Sequence, residues 1–205
     1  DLALEKGVNF FDTAELYSVP ATPETYGATE KIIGSWFQKT GNREKIILAS
    51  KIAGPGDYTA HIRKDGFSKR GLKEALEGSL KRLQTDYIDL YQLHWPGRGV
   101  NCFGVRDYPF KTATKEAENH LEILETLNGF VKEGKIKKVG LSNETPWGTM
   151  QYLQTAKENN LPRMVTIQNS YSLIHRAYEY AMSEVSLRED VGLLVYSPLA
   201  QGVLS

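Results

Sequence analysis

Four residues whose side chains can move or stabilise a proton stand at or just after the ends of short apolar runs. Asp12 follows VNFF, Lys51 follows IILAS, His94 follows YIDLYQL, and Tyr17 comes soon after Asp12. Such a set could deliver a proton to a carbonyl oxygen, because a nearby ammonium favours phenolate and lowers a tyrosine pKa from its ordinary value of about 10. We therefore expect Tyr17 to be the acid, with Lys51 lowering its pKa. Asp12 would orient Lys51, and His94 would hold the carbonyl.

Polar residues also end the remaining apolar runs. They are Ser142 with Asn143, Gln168 with Asn169, and Tyr196 with Ser197. No side chain supplies a hydride, so reduction of a carbonyl requires a nicotinamide cofactor. The hydroxyl and amides of Ser142, Asn143 and Gln168 suit a carboxamide, and the Tyr196 ring suits stacking on a pyridine.

Strand-like and helix-like segments alternate along the chain, which is typical of a parallel sheet covered by helices. The predicted strands are 8–11, 46–50, 87–93, 136–141, 164–168 and 192–197. An open dinucleotide-binding sheet would carry G-x-G-x-x-G after a strand, and the nearest stretches, GPGDYT and GRGVNC, both lack the third glycine. A barrel instead gathers its chemistry at many strand ends. The pattern predicts an α/β fold, a (β/α)8 TIM barrel with about six of its eight strands in this chain.

Apolar residues at helical spacing predict the helices between the strands. The predicted faces are Ile32, Ile33, Trp36 and Phe37; Leu72, Leu76, Leu80 and Leu83; Leu121, Leu124, Leu127 and Val131; and Met150 with Leu153. Ser68 is a suitable N-cap, Gly134 a suitable helix end, and 175–187 a weaker helix. The chain opens on a helix end and stops in a loop, so we expect 1–205 to be one barrel domain, incomplete at both ends. The long loops 52–67 and 96–113 would shape the pocket.

Composition limits the classes of partner. Lysine plus arginine and aspartate plus glutamate balance at 25 each among 205 residues, so the charge favours neither nucleic acid nor an anionic membrane as a partner. Charged residues interrupt every apolar run well before the length of a membrane span. Cys102 is the one cysteine, which fits a reducing, cytoplasmic location, and we interpret it as an incidental thiol. His61, His120 and His175 lack metal-ligand spacing, so we expect no metal and interpret them as surface or loop residues.

The motifs NFFDTAELY, ILASK, DLYQLHWP, IKKVGLSN, TIQNSYS and YSPLAQGVLS resemble the aldo-keto reductases and follow that family's order along the whole chain. The resemblance, closest to an NADP(H)-dependent branch, implies that Asp12, Tyr17, Lys51 and His94 form the family's catalytic tetrad. The residues that match the family's cofactor contacts are Ser142, Asn143, Gln168, Tyr196, Ser197, Pro198, Leu199, Gln201 and Gly202. The implied activity is the NADP(H)-dependent reduction of a small aldehyde or ketone, with Tyr17 as proton donor.

Two stretches depart from the family's usual pattern. Glu144 stands where many members have an aromatic residue, and SVPATPETY follows Tyr17 where many members have glycine. Trp95 is predicted to belong to the substrate pocket, and Phe103 and Tyr108 indicate an apolar or aromatic wall. NADP specificity rests on the resemblance alone, because the family's 2′-phosphate contacts lie C-terminal to the last residue.

Two other interpretations share the same fold. Channel β-subunits resemble these enzymes, so the alternative is a cofactor-binding, redox-sensing subunit with slow turnover. Such a subunit should expose an apolar docking surface away from the barrel mouth. A structural remnant is the third interpretation, since a barrel without all its strands leaves strand edges unpaired. The sequence does not predict the oligomeric state.

Overall fold

Each strand of the structure pairs in parallel with the strand that follows it in the chain. The computed structural model describes residues 1–105, 107–111 and 118–205. Its strands are β1 (Phe10–Asp12), β2 (Ile47–Ile52), β3 (Ile88–Leu93), β4 (Ile136–Ser142), β5 (Met164–Ser170) and β6 (Gly192–Tyr196). The spatial order follows the chain order without reversal, unlike that of a doubly wound sheet. The predicted α/β barrel fold is therefore confirmed, as a partial barrel.

All the predicted strands form, and the differences lie at their ends. β1 begins at Phe10 rather than at residue 8 and includes Asp12, while β2 continues through Lys51. Asp12 pairs with Ala49, and Lys51 pairs with Gln92. Backbone pairing does not depend on side-chain polarity, so the ladders continue into the polar residues. These side chains are consequently held by strands and not by loops.

Helices cover the outer face of the sheet. They are α1 (Leu2–Glu5), α2 (Ala28–Thr40), α3 (Lys69–Leu83), α4 (His120–Lys132), α5 (Pro146–Glu158) and α6 (Met182–Glu189). Ser68 caps α3 as predicted, its Oγ accepting a hydrogen bond from the N–H of Gly71 at 3.0 Å. The weak helix predicted at 175–187 is broken, because Ala181 leaves the helical backbone region at φ −148°. A 3₁₀ turn precedes the break and α6 follows it.

The two faces of the sheet have different chemistry. Tyr91, Leu141 and Ile167 belong to the hydrophobic core between sheet and helices, together with helix residues such as Leu72 and Leu124. Each fully buried side chain of this size contributes about 1.5–3 kcal/mol to folding. The alternate strand residues face the barrel interior, because successive side chains of a strand point to opposite faces. Several of those interior residues are polar, and they lead to the strand ends.

Two long loops leave the carboxyl ends of the strands, as predicted. The first connects β2 to α3 and contains a 3₁₀ turn at Asp57–Thr59. The second connects β3 to α4, and parts of the predicted stretch 96–113, at 106 and 112–113, lie outside the described residues. Among the described helices, none combines the length and apolar character that a membrane crossing requires.

Candidate active site at the carboxyl ends of the strands

A buried Lys51 and a partly exposed Asp12 form an ion pair where β2 lies beside β1. The Lys51 Nζ atom donates to Asp12 Oδ2 at 2.6 Å and to the carbonyl oxygen of Thr13 at 2.8 Å. Lys51 is 0% exposed, and burial lowers its pKa although Asp12 opposes the shift. A lysine with no access to solvent has its direction set by its partners. Asp12 and Thr13 thus aim the ammonium, as the sequence led us to expect for Asp12.

Tyr17 lies directly beside this pair. The Lys51 Nζ atom is 4.9 Å from the centroid of the Tyr17 ring, and the His94 ring meets that ring edge-on at 5.6 Å. Burial, followed by the nearby Asp12 and Tyr196, raises the pKa of Tyr17 to about 12. The expectation that Lys51 leaves this pKa below its ordinary value is therefore wrong: the net shift is upward. The physical reason is that Asp12 balances the ammonium charge while burial disfavours the phenolate.

His94 is a neutral imidazole in this environment. It lies just after β3 and is almost wholly buried, and burial together with the positive charge of Lys51 holds its pKa well below the ordinary value. Its Nδ1 atom is buried and has no hydrogen-bond partner among the described residues. Tyr17, Lys51, Asp12 and His94 are thus brought together, as the strand ends predicted.

The residues predicted to contact a cofactor form a connected set at the ends of β4, β5 and β6. Ser142 Oγ donates to the Gln168 carbonyl oxygen at 2.9 Å. Asn143 donates through Nδ2 to the His94 carbonyl oxygen at 2.9 Å and accepts the Tyr196 hydroxyl at 2.8 Å. The ring of Tyr196 is therefore held at the mouth of the barrel. Two amides and a hydroxyl offer both donors and acceptors there, which fits a primary carboxamide.

The remaining predicted contacts lie on the loop after β6. These residues are Ser197, Pro198, Leu199, Gln201 and Gly202. All except Ser197 are exposed. Ser197 and Gln201 have positive φ values of 55° and 57°, and a 3₁₀ turn covers Ala200–Gly202. The loop therefore begins beside Tyr196 and is largely exposed.

Trp95 packs at the mouth beside the tetrad. Its ring centroid is 5.0 Å from His94 and 5.7 Å from Phe103, and its Nε1 donates to the Pro55 carbonyl oxygen at 3.0 Å. Tyr108 instead pairs with Phe110, with ring centroids 5.0 Å apart. Trp95 and Phe103 thus form an aromatic surface next to His94, which is the position the pocket prediction requires.

Sequence reasoning missed the ion pair that anchors the loop carrying Tyr17. Glu15 is buried and accepts two hydrogen bonds from Arg63, at 2.5 and 3.1 Å. It also accepts the N–H of Ala53 at 3.0 Å. The loop after β1 is thereby tied to the loop after β2. The sequence signal for this ion pair is weak: Glu15 stands two residues before Tyr17, and nothing else in the sequence indicates its role.

A second missed ion pair involves Glu144, one of the departures from the family pattern. Arg98 binds both of its carboxylate oxygens, at 2.5 and 3.0 Å, and reaches Glu118 at 3.0 Å. A Cβ on Gly148 would lie 2.3 Å from Glu144 Oε1, so glycine leaves room for this pair. The pair connects the loop after β3 to the residue that follows Asn143. Glu144 therefore makes an ionic contact at this position.

The interpretation of His120 as a surface or loop residue is wrong. His120 begins α4 and is 7% exposed, and its ring meets Tyr152 edge-on with centroids 4.3 Å apart. His120 packs against an aromatic ring, and the sequence analysis missed this because histidine is polar.

Within the described residues, no group of three or more His, Cys, Asp or Glu side chains could hold a metal ion. Burial raises the pKa of the Cys102 thiol, which does not favour a reactive thiolate.

Comparison with known proteins decides the family. The sequence model of the aldo/keto reductase family matches residues 1–205. The chain belongs to the aldo/keto reductase family. The predicted family is therefore confirmed.

Two relatives and one solved structure give the extent of the similarity within the family. The chain is 48% identical over 207 residues to Protein tas of Escherichia coli (strain K12), covering 100% of this chain and 60% of that protein. It is 36% identical over 209 residues to the uncharacterized oxidoreductase YrpG of Bacillus subtilis (strain 168), covering 100% and 57%. A crystal structure provisionally named 2,5-diketo-D-gluconic acid reductase B shares the fold, with a TM-score of 0.70 and 22% identity, covering 98% of this chain and 56% of that one. The chain thus spans about 60% of the length of the first of these relatives.

Proposed function

We propose that this protein is an NADP(H)-dependent oxidoreductase that reduces aldehyde or ketone carbonyls of small molecules to alcohols, with Tyr17 as the proton donor. The observation that carries the proposal is the convergence of Asp12, Tyr17, Lys51 and His94 at the mouth of the partial barrel. Membership of the aldo/keto reductase family supports carbonyl oxidoreductase chemistry. NADP(H), rather than NAD(H), rests on the similarity to the branch that contains Tas.

The cofactor contacts proposed are those at the ends of β4, β5 and β6. Ser142, Asn143 and Gln168 would bind a carboxamide, Tyr196 would stack on the nicotinamide ring, and the loop 197–202 would follow the pyrophosphate. When bound, NADPH supplies the hydride that reduces the carbonyl carbon. The protein's own residues supply the proton and the electrostatic environment.

Tyr17 holds the proton that the developing alkoxide takes. The phenol, whose pKa is raised to about 12, is protonated at neutral pH and therefore holds a proton to donate. The Lys51 ammonium lies 4.9 Å from the ring centroid and favours the phenolate that proton transfer leaves behind. Neutral His94 can donate a hydrogen bond to the carbonyl oxygen without adding charge. Trp95 and Phe103 would contact the substrate beside it.

NADPH titration and NADPH oxidation with aromatic and aliphatic aldehydes test the proposal, with the protein at its full natural length. Tyr17→Phe should lower turnover by roughly 10²- to 10⁴-fold and leave NADPH binding unchanged, because it removes only the acidic proton. Tyr180→Phe is the matched control, since Tyr180 is 91% exposed. Full turnover in Tyr17→Phe would refute the assigned role. Tight NADPH binding with negligible turnover of any aldehyde would favour the redox-sensing alternative.

The proposal also covers the location of the protein in the cell and the classes of partner that it binds. We propose a cytoplasmic location, supported by the single cysteine, and no nucleic-acid or membrane partner, supported by the balance of 25 basic and 25 acidic residues. One barrel-type domain over 1–205 stays a prediction. Fractionation of cells with an antibody against the protein would test the location.

A further inference from the structure

Asp12 receives more hydrogen bonds than its pairing with Lys51 requires. While Oδ2 accepts from Lys51, Oδ1 accepts the amide Nε2 of Gln168 at 3.1 Å and the amide Nε2 of Gln92 at 3.2 Å. Gln92 is on β3 and is 0% exposed. Three donors from three different strands therefore hold one carboxylate.

The Gln92 amide is oriented toward Asp12 at a cost. A carboxylate can only accept, so the amide must present its N–H₂ group to Oδ1. The Gln92 Oε1 atom is then buried without a hydrogen-bond partner among the described residues. A buried unpaired acceptor destabilises a protein, and an apolar side chain of similar shape would avoid this. Packing alone therefore gives no reason for glutamine at this position.

The surrounding strands leave space for Gln92 and keep it in place. Gln92 pairs in register with Lys51 on one side and with Gly140 on the other. A Cβ on Gly140 would lie 3.3 Å from Gln92 Cγ and 2.4 Å from Thr166 Oγ1. The absence of a side chain at Gly140 thus leaves room mainly for the Thr166 hydroxyl and, to a lesser extent, for Gln92.

We propose that Gln92 is a positioning residue of the reaction: it fixes Asp12 so that the Lys51 ammonium stays beside Tyr17. This inference rests on the proposed function. The Asp12 side chain is 30% exposed, so without a donor on Oδ1 the carboxylate is free to turn toward solvent. Gln168 is the other donor, but it is also a proposed cofactor contact. Gln92 is therefore the donor to Oδ1 that is not also a proposed cofactor contact.

Gln92→Met tests the inference, because methionine keeps the length of the side chain and removes the donor. We expect kcat to fall about tenfold to a hundredfold, as for loss of a hydrogen bond to a charged group. KM for NADPH should stay unchanged and the melting temperature should stay equal or rise, since the unpaired Oε1 is removed. Thr166→Val is the matched control. It lies in the same interior layer, its Oγ1 is also unpaired among the described residues, and its kcat should equal that of the wild type.

Gln92→Glu gives a second readout that a purely structural role would not move. Above the pKa of the new carboxyl group, two carboxylates face each other, whereas at lower pH the neutral acid can donate to Asp12. We expect kcat of Gln92→Glu, relative to the wild type, to rise as the pH falls, while the ratio for Gln92→Met stays flat. Wild-type kcat in Gln92→Met, or flat ratios in both variants, would overturn the inference. Tyr17→Phe, assayed in parallel, separates the two proposals: its full activity would refute the proposed function itself.

Discussion

An alanine at position 54 should displace the aromatic surface beside the proposed site. A Cβ on Gly54 would lie 2.3 Å from both Cε2 and Nε1 of Trp95, and the indole must retreat by about 1 Å to reach the 3.4 Å of ordinary contact. The backbone of Gly54 is outside the left-handed region, so the effect is steric. This displacement would break the hydrogen bond of 3.0 Å from Trp95 Nε1 to the carbonyl oxygen of Pro55. Overpacking and one lost hydrogen bond together should lower the free energy of unfolding by about 2–4 kcal/mol.

Denaturant unfolding followed by tryptophan fluorescence measures the loss of stability, and steady-state kinetics measure its effect on the site. Gly54→Ala should raise KM for carbonyl substrates and leave NADPH binding unchanged, because Trp95 lies beside His94. Gly129→Ala is the matched control: it meets nothing within 4 Å in α4 and should stabilise the protein by about 0.5–1 kcal/mol. The double variant Gly54→Ala, Trp95→Phe should recover part of the stability, since the smaller ring relieves the clash.

One result would refute this reasoning. If Gly54→Ala unfolds at the same denaturant concentration as the wild type and keeps its KM, then Trp95 is not packed against Gly54 in the way the distances require. Additive losses in the double variant would show that the two residues do not interact.

Three further predictions concern charge. In the absorbance difference between wild type and Tyr17→Phe, no phenolate signal should appear at pH 10, because the pKa of Tyr17 is raised to about 12. The contribution of the protonated Tyr17 to folding stability is present below about pH 10 and is lost as the pH rises toward 12. Glu30→Ala should lower the free energy of urea unfolding by about 3 kcal/mol, because the fully buried Glu30 carboxylate accepts a hydrogen bond from Arg82 at 2.7 Å and its removal leaves the Arg82 charge unpaired. An unchanged free energy of unfolding would contradict this ion pair. Arg98→Met should lower the free energy of unfolding by a similar amount, because it leaves the Glu144 carboxylate without its ion-pair partner. In the same assay, the double variant Arg98→Met, Glu144→Met should regain most of the lost stability.

Much of the scaffold was predictable because the signals for it are local. Alternating apolar runs and helical spacing depend on residues close together in the chain, and they predicted all the strands and most helices. The same is true of the order in which Asp12, Lys51 and His94 occur. In a parallel barrel, consecutive strand ends meet at one mouth, so the order alone predicts that these residues converge.

What the sequence by itself determined was therefore the fold, the family and the membership of the candidate site. The tertiary structure alone decided the direction of the Tyr17 pKa, the packing of His120, and the partners of Asp12 and Glu144. A pKa depends on burial and on charges from other strands, and a hydrogen bond joins atoms that the chain separates by tens of residues. Gln92 on β3 and Asp12 on β1 are in contact because both side chains face the barrel interior. A pattern of neighbouring residues in the sequence cannot predict such a contact between separate strands.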